Sequence, residues 1–169
     1  MKYNILITGP PASGKSSLVQ ELTKGKNCCG IATPEYRIDH ERAGFKVVDI
    51  KTQKEGMLAS TEIRPHVASK YGIDIKDFEK VAVPAIEAGI KSNLLIVIDE
   101  IGFMELFSEK FKKLVEKALG TKRVLATVSM KSRDKFFEKI KSRTDVKVHY
   151  LTRINRERIK KEIKTELFS

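Results

Sequence analysis

The sequence predicts a three-layer α/β fold, a mainly parallel sheet flanked by helices with an antiparallel ribbon inserted. Three observations carry that expectation. Strand-like and helix-like hydrophobic periods alternate along most of the 169 residues. A glycine-bracketed turn, Gly9 to Ser16, joins the first strand pattern directly to the first helix pattern. The run Leu94 to Ile98 is apolar at every position, as in a central parallel strand covered on both faces.

Tyr3 to Thr8 reads as the first strand and Lys15 to about Lys24 as a helix, with Leu18, Val19 and Leu22 on one face and Gly25 as its stop. Gly30 to Arg37 and Gly44 to Lys51 read as strands. The second alternates Phe45, Val47 and Asp49 against Lys46, Val48 and Ile50. Glu55-Gly56 has the composition of a turn and Met57 to Ser60 returns from it, which makes this stretch the antiparallel ribbon. Ile75 to Lys91 is helical in period, and Pro84 is expected to kink or break it. Phe107 to Leu119 follows as a helix with Phe111, Leu114, Val115 and Ala118 inward, stopped by Gly120. Then come a strand at Arg123 to Val128, a helix at Arg133 to Lys141, a strand at Val146 to Leu151 and a helix at Ile154 to Leu167. No repeat, low-complexity stretch or linker interrupts the series, so residues 1–169 are expected to form a single domain.

The formal net charge is +11, and from Lys131 onward 13 Lys/Arg face 6 Asp/Glu. Such a balance suits phosphate-bearing ligands and leaves nucleic acid open as a partner. It equally fits a solvated lysine-rich surface, and no interleaving of aromatic and basic residues accompanies it. No apolar run approaches the roughly 20 residues that span a bilayer, and the N-terminus lacks a targeting pattern. No membrane association and a cytoplasmic address are therefore expected. Cys28 and Cys29 are adjacent and the only cysteines. They fit two reduced thiols better than a disulfide or a zinc site.

Gly9-Pro10-Pro11-Ala12-Ser13-Gly14-Lys15-Ser16 fits the phosphate-loop string G-x-x-x-x-G-K-[ST]. It follows a strand pattern and opens a helix pattern, as that loop must. Triphosphate oxygens need many donors at short range. Glycines let the backbone wrap them, and the helix N-terminus adds its dipole. Lys15 is expected to bridge the β- and γ-phosphates and Ser16 to give its hydroxyl to Mg²⁺. Ser17, one residue on, also comes within reach of the phosphates.

Asp99-Glu100 directly follows the apolar run, which places both acids at the carboxyl edge of the sheet, where ligands bind in open α/β folds. Asp99 is expected to organise the Mg²⁺ shell. Glu100 can orient or deprotonate an attacking water, with Glu105 as the substitute base. Being adjacent on an extended strand end, the two side chains are expected to diverge. Charge developing on the γ-phosphate wants a cation, for which Arg64, Arg143, Arg153 and Arg156 are candidates. The segment Thr152 to Arg156 follows the last strand at the same edge, so Asn155 and Arg156 are expected to touch the nucleotide. His40, His66 and His149 lack metal-ligand spacing.

With these motifs in hand, the chain resembles the THEP1-type nucleoside triphosphatases, related to the human cancer-related NTPase. The resemblance runs through Gly9 to Ser16, Gly44 to Asp49, Lys70-Tyr71-Gly72, Phe78-Glu79 with Val83-Pro84-Ala85, Ile98 to Phe107, Arg143 to Val146, and Thr152 with Asn155-Arg156. The Asp-Glu-Ile-Gly and Met-Glu-Leu-Phe pieces are its most specific part. It implies a RecA-like P-loop core and slow hydrolysis of ATP, GTP, CTP and UTP to diphosphate and phosphate, with loose base preference. The phosphate loop then falls on Gly9 to Ser16, and the metal and water site on Asp99 and Glu100. Two segments depart from the family's usual pattern. Val67 to Tyr71 is longer, and Ser129 stands where a histidine is common.

The competing reading is a nucleotide or small-molecule kinase, with Arg133 and Arg143 on an arginine-bearing lid. No acceptor-binding motif accompanies it, and Glu100 suits water. Asp99 to Gly102 also matches the D-x-x-G of GTPases, but no Asn-Lys-x-Asp string reads guanine.

Overall fold

Alternate side chains of the central strands point to opposite faces of the sheet and are apolar on both, so each face needs a covering layer of helices. The computed structural model describes residues 1–130 and 134–168, Phe168 by its backbone alone. Its elements run β1 (Asn4–Thr8), α1 (Lys15–Thr23), β2 (Cys28–Ala32), β3 (Glu35–Ile38), β4 (Glu41–Asp49), β5 (Glu55–Ser60), β6 (Gly72–Ile73), α2 (Ile75–Lys91), β7 (Leu95–Ile101), a 3₁₀ turn (Glu105–Phe107), α3 (Glu109–Gly120), β8 (Val124–Val128), α4 (Lys135–Lys141), β9 (Val146–Tyr150) and α5 (Arg156–Phe168).

All the described strands join one sheet in the order β6-β5-β4-β2-β7-β8-β1-β9, with β3 paired to β4 beside that path. From β2 to β9 the neighbours are parallel. From β2 outward to β6 they are antiparallel. On one face Leu6, Ile96, Ile98, Val124, Ala126 and Val128 pack against α2, α3 and α4 through Phe78, Phe111 and Phe137. Phe78 and Phe111 meet edge to face with ring centroids 5.3 Å apart. Each such fully buried ring contributes roughly 1.5–3 kcal/mol through burial. On the other face Ile5, Ile7, Val97 and Leu125 pack against Leu18 and Leu22 of α1 and Ile159 and Ile163 of α5. The three layers are those expected. Side-chain caps start the helices on the first face: Asp74 accepts from the Asp77 N–H at 2.9 Å and Ser108 from the Phe111 N–H at 3.0 Å.

Three local expectations are corrected. Gly30 to Arg37 is not one strand: β2 ends at Ala32, and Thr33-Pro34 redirects the chain into β3. The ribbon turn lies at residues 50–54, where Asp49 Oδ1 accepts from the Lys51 N–H at 2.8 Å, and Gly56 is inside β5. The antiparallel ribbon itself is as expected, and it joins the main sheet where β4 pairs with β2 over Ile31–Asp49 and Ala32–Val48. Pro84 does not break α2. It sits on the helix's exposed side, as does Lys80, so water can serve the Lys80 carbonyl that loses its helical donor.

Candidate functional site: a phosphate-loop cleft

β1 delivers the chain at the carboxyl edge of the sheet, where Gly9 begins the loop into α1. Ala12 (φ 57°) and Gly14 (φ 89°) are both left-handed, and alternation of this kind makes a concave nest of backbone N–H groups that attracts anions. The Ser13 N–H donates to the Pro10 carbonyl at 3.2 Å. Lys15 Nζ lies across the loop and donates to the carbonyls of Gly9 and Pro10, each at 3.1 Å. The hydroxyls of Thr8 and Ser13 are buried without a partner among the described residues, so the loop holds polar groups that a bound phosphate could satisfy.

β7 ends beside it, with β8 between β7 and β1. Asp99 Oδ1 accepts from Ser16 Oγ at 3.0 Å and from Thr127 Oγ1 of the intervening strand at 2.5 Å. Burial pushes the Asp99 carboxyl above the usual range, against the pull of those two hydroxyls and of the Lys15 charge. Glu100 is raised too, first by burial and then by the Asp99 charge. No side chain among the described residues hydrogen-bonds the Glu100 carboxylate. Glu105 is 3% exposed. Burial, with the charge of Glu100 next, pushes it up to about 8.

These groups surround a cleft of about 550 Å³. Its loop side comprises Pro11, Ala12, Gly14, Lys15, Ser16 and Ser17, and its far side Thr33, Glu35, Phe45, Asp99, Glu100 and Glu105. The expected divergence of Asp99 and Glu100 is corrected: both line the same cleft. The register between β7 and β8 slips between Ile98 and Ile101, and a strand end irregular in this way no longer alternates its side chains.

Of the expected cationic groups, Arg156 reaches the loop: Nη1 donates to the Gly14 carbonyl at 3.3 Å and Nη2 to Glu21 at 2.9 Å. Asn155 does not line the cleft; its side chain accepts from the Thr152 N–H at 2.8 Å and donates to the Tyr150 carbonyl at 2.9 Å, closing the turn that carries Arg156. Arg153 is exposed beside it. Arg143 pairs with Asp145 at 2.7 Å just before β9. That is the amino edge, opposite the cleft, so Arg143 serves neither as a lid nor as a γ-phosphate cation. Arg64 donates to the Thr61 carbonyl at 2.5 Å on the β5–β6 loop, away from this cleft. Arg133 lies outside the described residues. His149 is buried against Glu162 and Glu166 of α5, while His40 and His66 are exposed. Among the described residues no group of three or more His, Cys, Asp or Glu side chains could hold a metal.

Thr33 and Thr127 escape the sequence reading, because one threonine at a strand end carries no pattern. Glu105 appears there only as a substitute base, since nothing in its neighbourhood marks a buried glutamate.

With the loop, the buried aspartate and the strand order in place, comparison with known proteins decides the family. The model of a family described as NTPase matches residues 4–164. The chain belongs to the THEP1 nucleoside-triphosphatase family. It is similar to "Nucleoside-triphosphatase THEP1" of Thermotoga sp. (strain RQ2), 40% identical over 161 residues, covering 94% of this chain and 92% of the relative. The protein of the same name from Methanothermobacter thermautotrophicus is 38% identical, covering 92% and 90%. The crystal structure of THEP1 from the hyperthermophile Aquifex aeolicus superposes with a TM-score of 0.87 at 31% identity, covering 98% of this chain and 99% of that one. The fold expectation, a P-loop NTPase with antiparallel strands at one edge, is that of this THEP1 structure. No helix among the described residues is long and apolar enough to cross a membrane.

Proposed function

We propose that residues 1–169 form a single domain that hydrolyses ATP, GTP, CTP and UTP to diphosphate and phosphate with Mg²⁺. One observation carries the reading: Glu100, a carboxylate that no described residue hydrogen-bonds, lines the cleft that the phosphate loop and Asp99 also line. A binding site for a triphosphate has no need of that group, whereas hydrolysis does.

The loop N–H groups and Lys15 hold the β- and γ-phosphates. Ser16 and Asp99 would hold Mg²⁺: two hard oxygen donors 3.0 Å apart fit a cation that takes few protein ligands and completes its shell with phosphate and water. When bound, the ion neutralises charge on the phosphate oxygens. Glu100 orients a water and takes its proton as the water oxygen bonds to the γ-phosphorus. The bond from that phosphorus to the bridging oxygen breaks, and the diphosphate leaves. The raised proton affinity of Glu100 brings the base closer to neutral pH, where proton transfer is most effective.

No feature among the described residues favours the kinase alternative, since Arg143 lies at the opposite edge and the comparisons name triphosphatases. Much of the late basic charge is engaged in ion pairs, as in Lys139–Glu116, Lys147–Glu166 and Arg158–Glu162, so charge alone is weak support for nucleic acid. The buried free thiols of Cys28 and Cys29 suit a reducing, cytoplasmic setting. Phosphate release measured across the four nucleotides, with and without Mg²⁺ and candidate acceptors, tests the whole reading. Release is expected without any acceptor, with kcat/KM values within about tenfold of one another. Turnover only with an acceptor, or equal turnover without Mg²⁺, would overturn it.

A further inference from the structure

Glu100 bears the chemical burden of the proposed reaction, yet none of the described side chains hydrogen-bonds its carboxylate. A glutamate left to itself samples several rotamers, and fixing it costs conformational entropy. Two features restrict it. Its backbone N–H donates to Thr33 Oγ1 at 3.2 Å. Its carboxyl end lies beside that of Glu105 over Gly102, where an added Cβ would be 2.8 Å from Glu100 Oε1 and 2.6 Å from Glu105 Oε2. Glu105 is itself bonded to Thr33 Oγ1 at 2.9 Å. The Thr33 N–H donates to the Asp99 carbonyl at 2.6 Å, and Thr33 Oγ1 lies 3.2 Å from that same oxygen. One residue, at the point where β2 leaves the sheet, thus touches the Asp99–Glu100 backbone and the carboxyl group that flanks Glu100.

We propose that Thr33 is a positioning residue for Glu100, a reading that rests on the hydrolytic function above. A hydroxyl offers one proton and two lone pairs, enough to accept the Glu100 N–H while bonding Glu105. The β-branched side chain holds that oxygen in few rotamers. Valine keeps the shape of threonine and removes every one of these bonds except the backbone N–H of residue 33. Serine keeps the oxygen.

The test compares Thr33→Val, Thr33→Ser, Glu100→Gln and the Thr33→Val/Glu100→Gln double variant. It uses single-turnover hydrolysis at saturating Mg²⁺–ATP, calorimetric Mg²⁺–ATP binding and thermal melting. Thr33→Val is expected to slow turnover by about tenfold or more, since misplacement of a reacting group by about 1 Å costs on the order of 100-fold. Its Mg²⁺–ATP Kd stays within about threefold of the parent's, as expected for loss of an interaction made only in the transition state. Thr33→Ser recovers most of the rate. The double variant is no slower than Glu100→Gln alone, because residues acting as one unit are non-additive. If Thr33→Val does not fold, Thr33→Ala removes the same oxygen and takes its place. The inference is overturned if Thr33→Val turns over normally while Glu100→Gln is dead, which leaves the hydrolytic reading intact. It is overturned equally if serine fails to rescue or if the two losses multiply. Normal turnover by Glu100→Gln removes the hydrolytic reading, and the inference with it.

Discussion

A methyl group on Gly102 would enter the gap between two carboxyl groups. Built on the existing backbone, its carbon lies 2.6 Å from Glu105 Oε2 and 2.8 Å from Glu100 Oε1. Non-bonded heavy atoms rest at about 3.5 Å, so each carboxyl end moves by about 0.7–0.9 Å. Misplacing a reacting group by about 1 Å costs on the order of 100-fold in rate, or about 2.7 kcal/mol of barrier. We therefore expect Gly102→Ala to lower kcat by about 10- to 100-fold. The fold should tolerate the change, because the atoms in the way belong to side chains rather than backbone and the Gly102 backbone is not left-handed. Restricting the unfolded chain even adds about 0.4–1 kcal/mol, so the melting temperature should hold within about 4 °C. The assay is single-turnover phosphate release beside calorimetric Mg²⁺–ATP binding and a melt. Wild-type turnover in folded Gly102→Ala protein would refute the idea that the Glu100 and Glu105 positions limit the chemistry. So would a loss of Mg²⁺–ATP affinity as large as the loss of rate.

Three other outcomes follow from the same geometry. Glu100→Gln should lower kcat by about 100-fold or more while Mg²⁺–ATP still binds, and Asp99→Asn should also weaken the Mg²⁺ dependence. Normal single-turnover hydrolysis by Glu100→Gln would move the base elsewhere, Glu105 first. Gly30→Ala should destabilise the protein by more than about 3 kcal/mol in a denaturant titration. The residue has φ +119°, and its Cβ would lie 1.9 Å from the Val97 backbone oxygen of the paired strand, so a stable variant would contradict that register. Glu105 holds its proton up to about pH 8 in the fold and only to the ordinary glutamate range when unfolded. The stability this contributes is full below that ordinary range and is lost as pH rises through about 8. Metal-free protein should therefore melt lower at pH 9 than at pH 6. Glu105→Gln should flatten that slope, leaving what Asp99, Glu100 and, toward pH 9, the buried Cys28 thiol add in the same direction. An unchanged slope would show that Glu105 is not held neutral.

Local chemistry determined much of this protein from the sequence alone. The string Gly9 to Ser16 needs no distant partner to announce a phosphate loop, and the all-apolar run before Asp99 announces a strand covered on both faces. The layers followed, because hydrophobic period dictates which elements need cover. Events between distant segments were beyond it. Thr127 meets Asp99 because β8 lies between β1 and β7, and a pattern along the chain does not encode strand order. Thr33 meets Glu105 across 72 positions of sequence. Glu105 enters the sequence reading only as a substitute base, because its burial and its bond to Thr33 exist only in the folded chain. Arg143, plausible as a cation by type, was placed at the wrong edge by the direction of β9 relative to β1. The side-chain directions at Asp99 and Glu100 depended on a register slip against β8. Hydrogen-bond register between strands is a tertiary property, so only the folded sheet could turn both acids into one cleft.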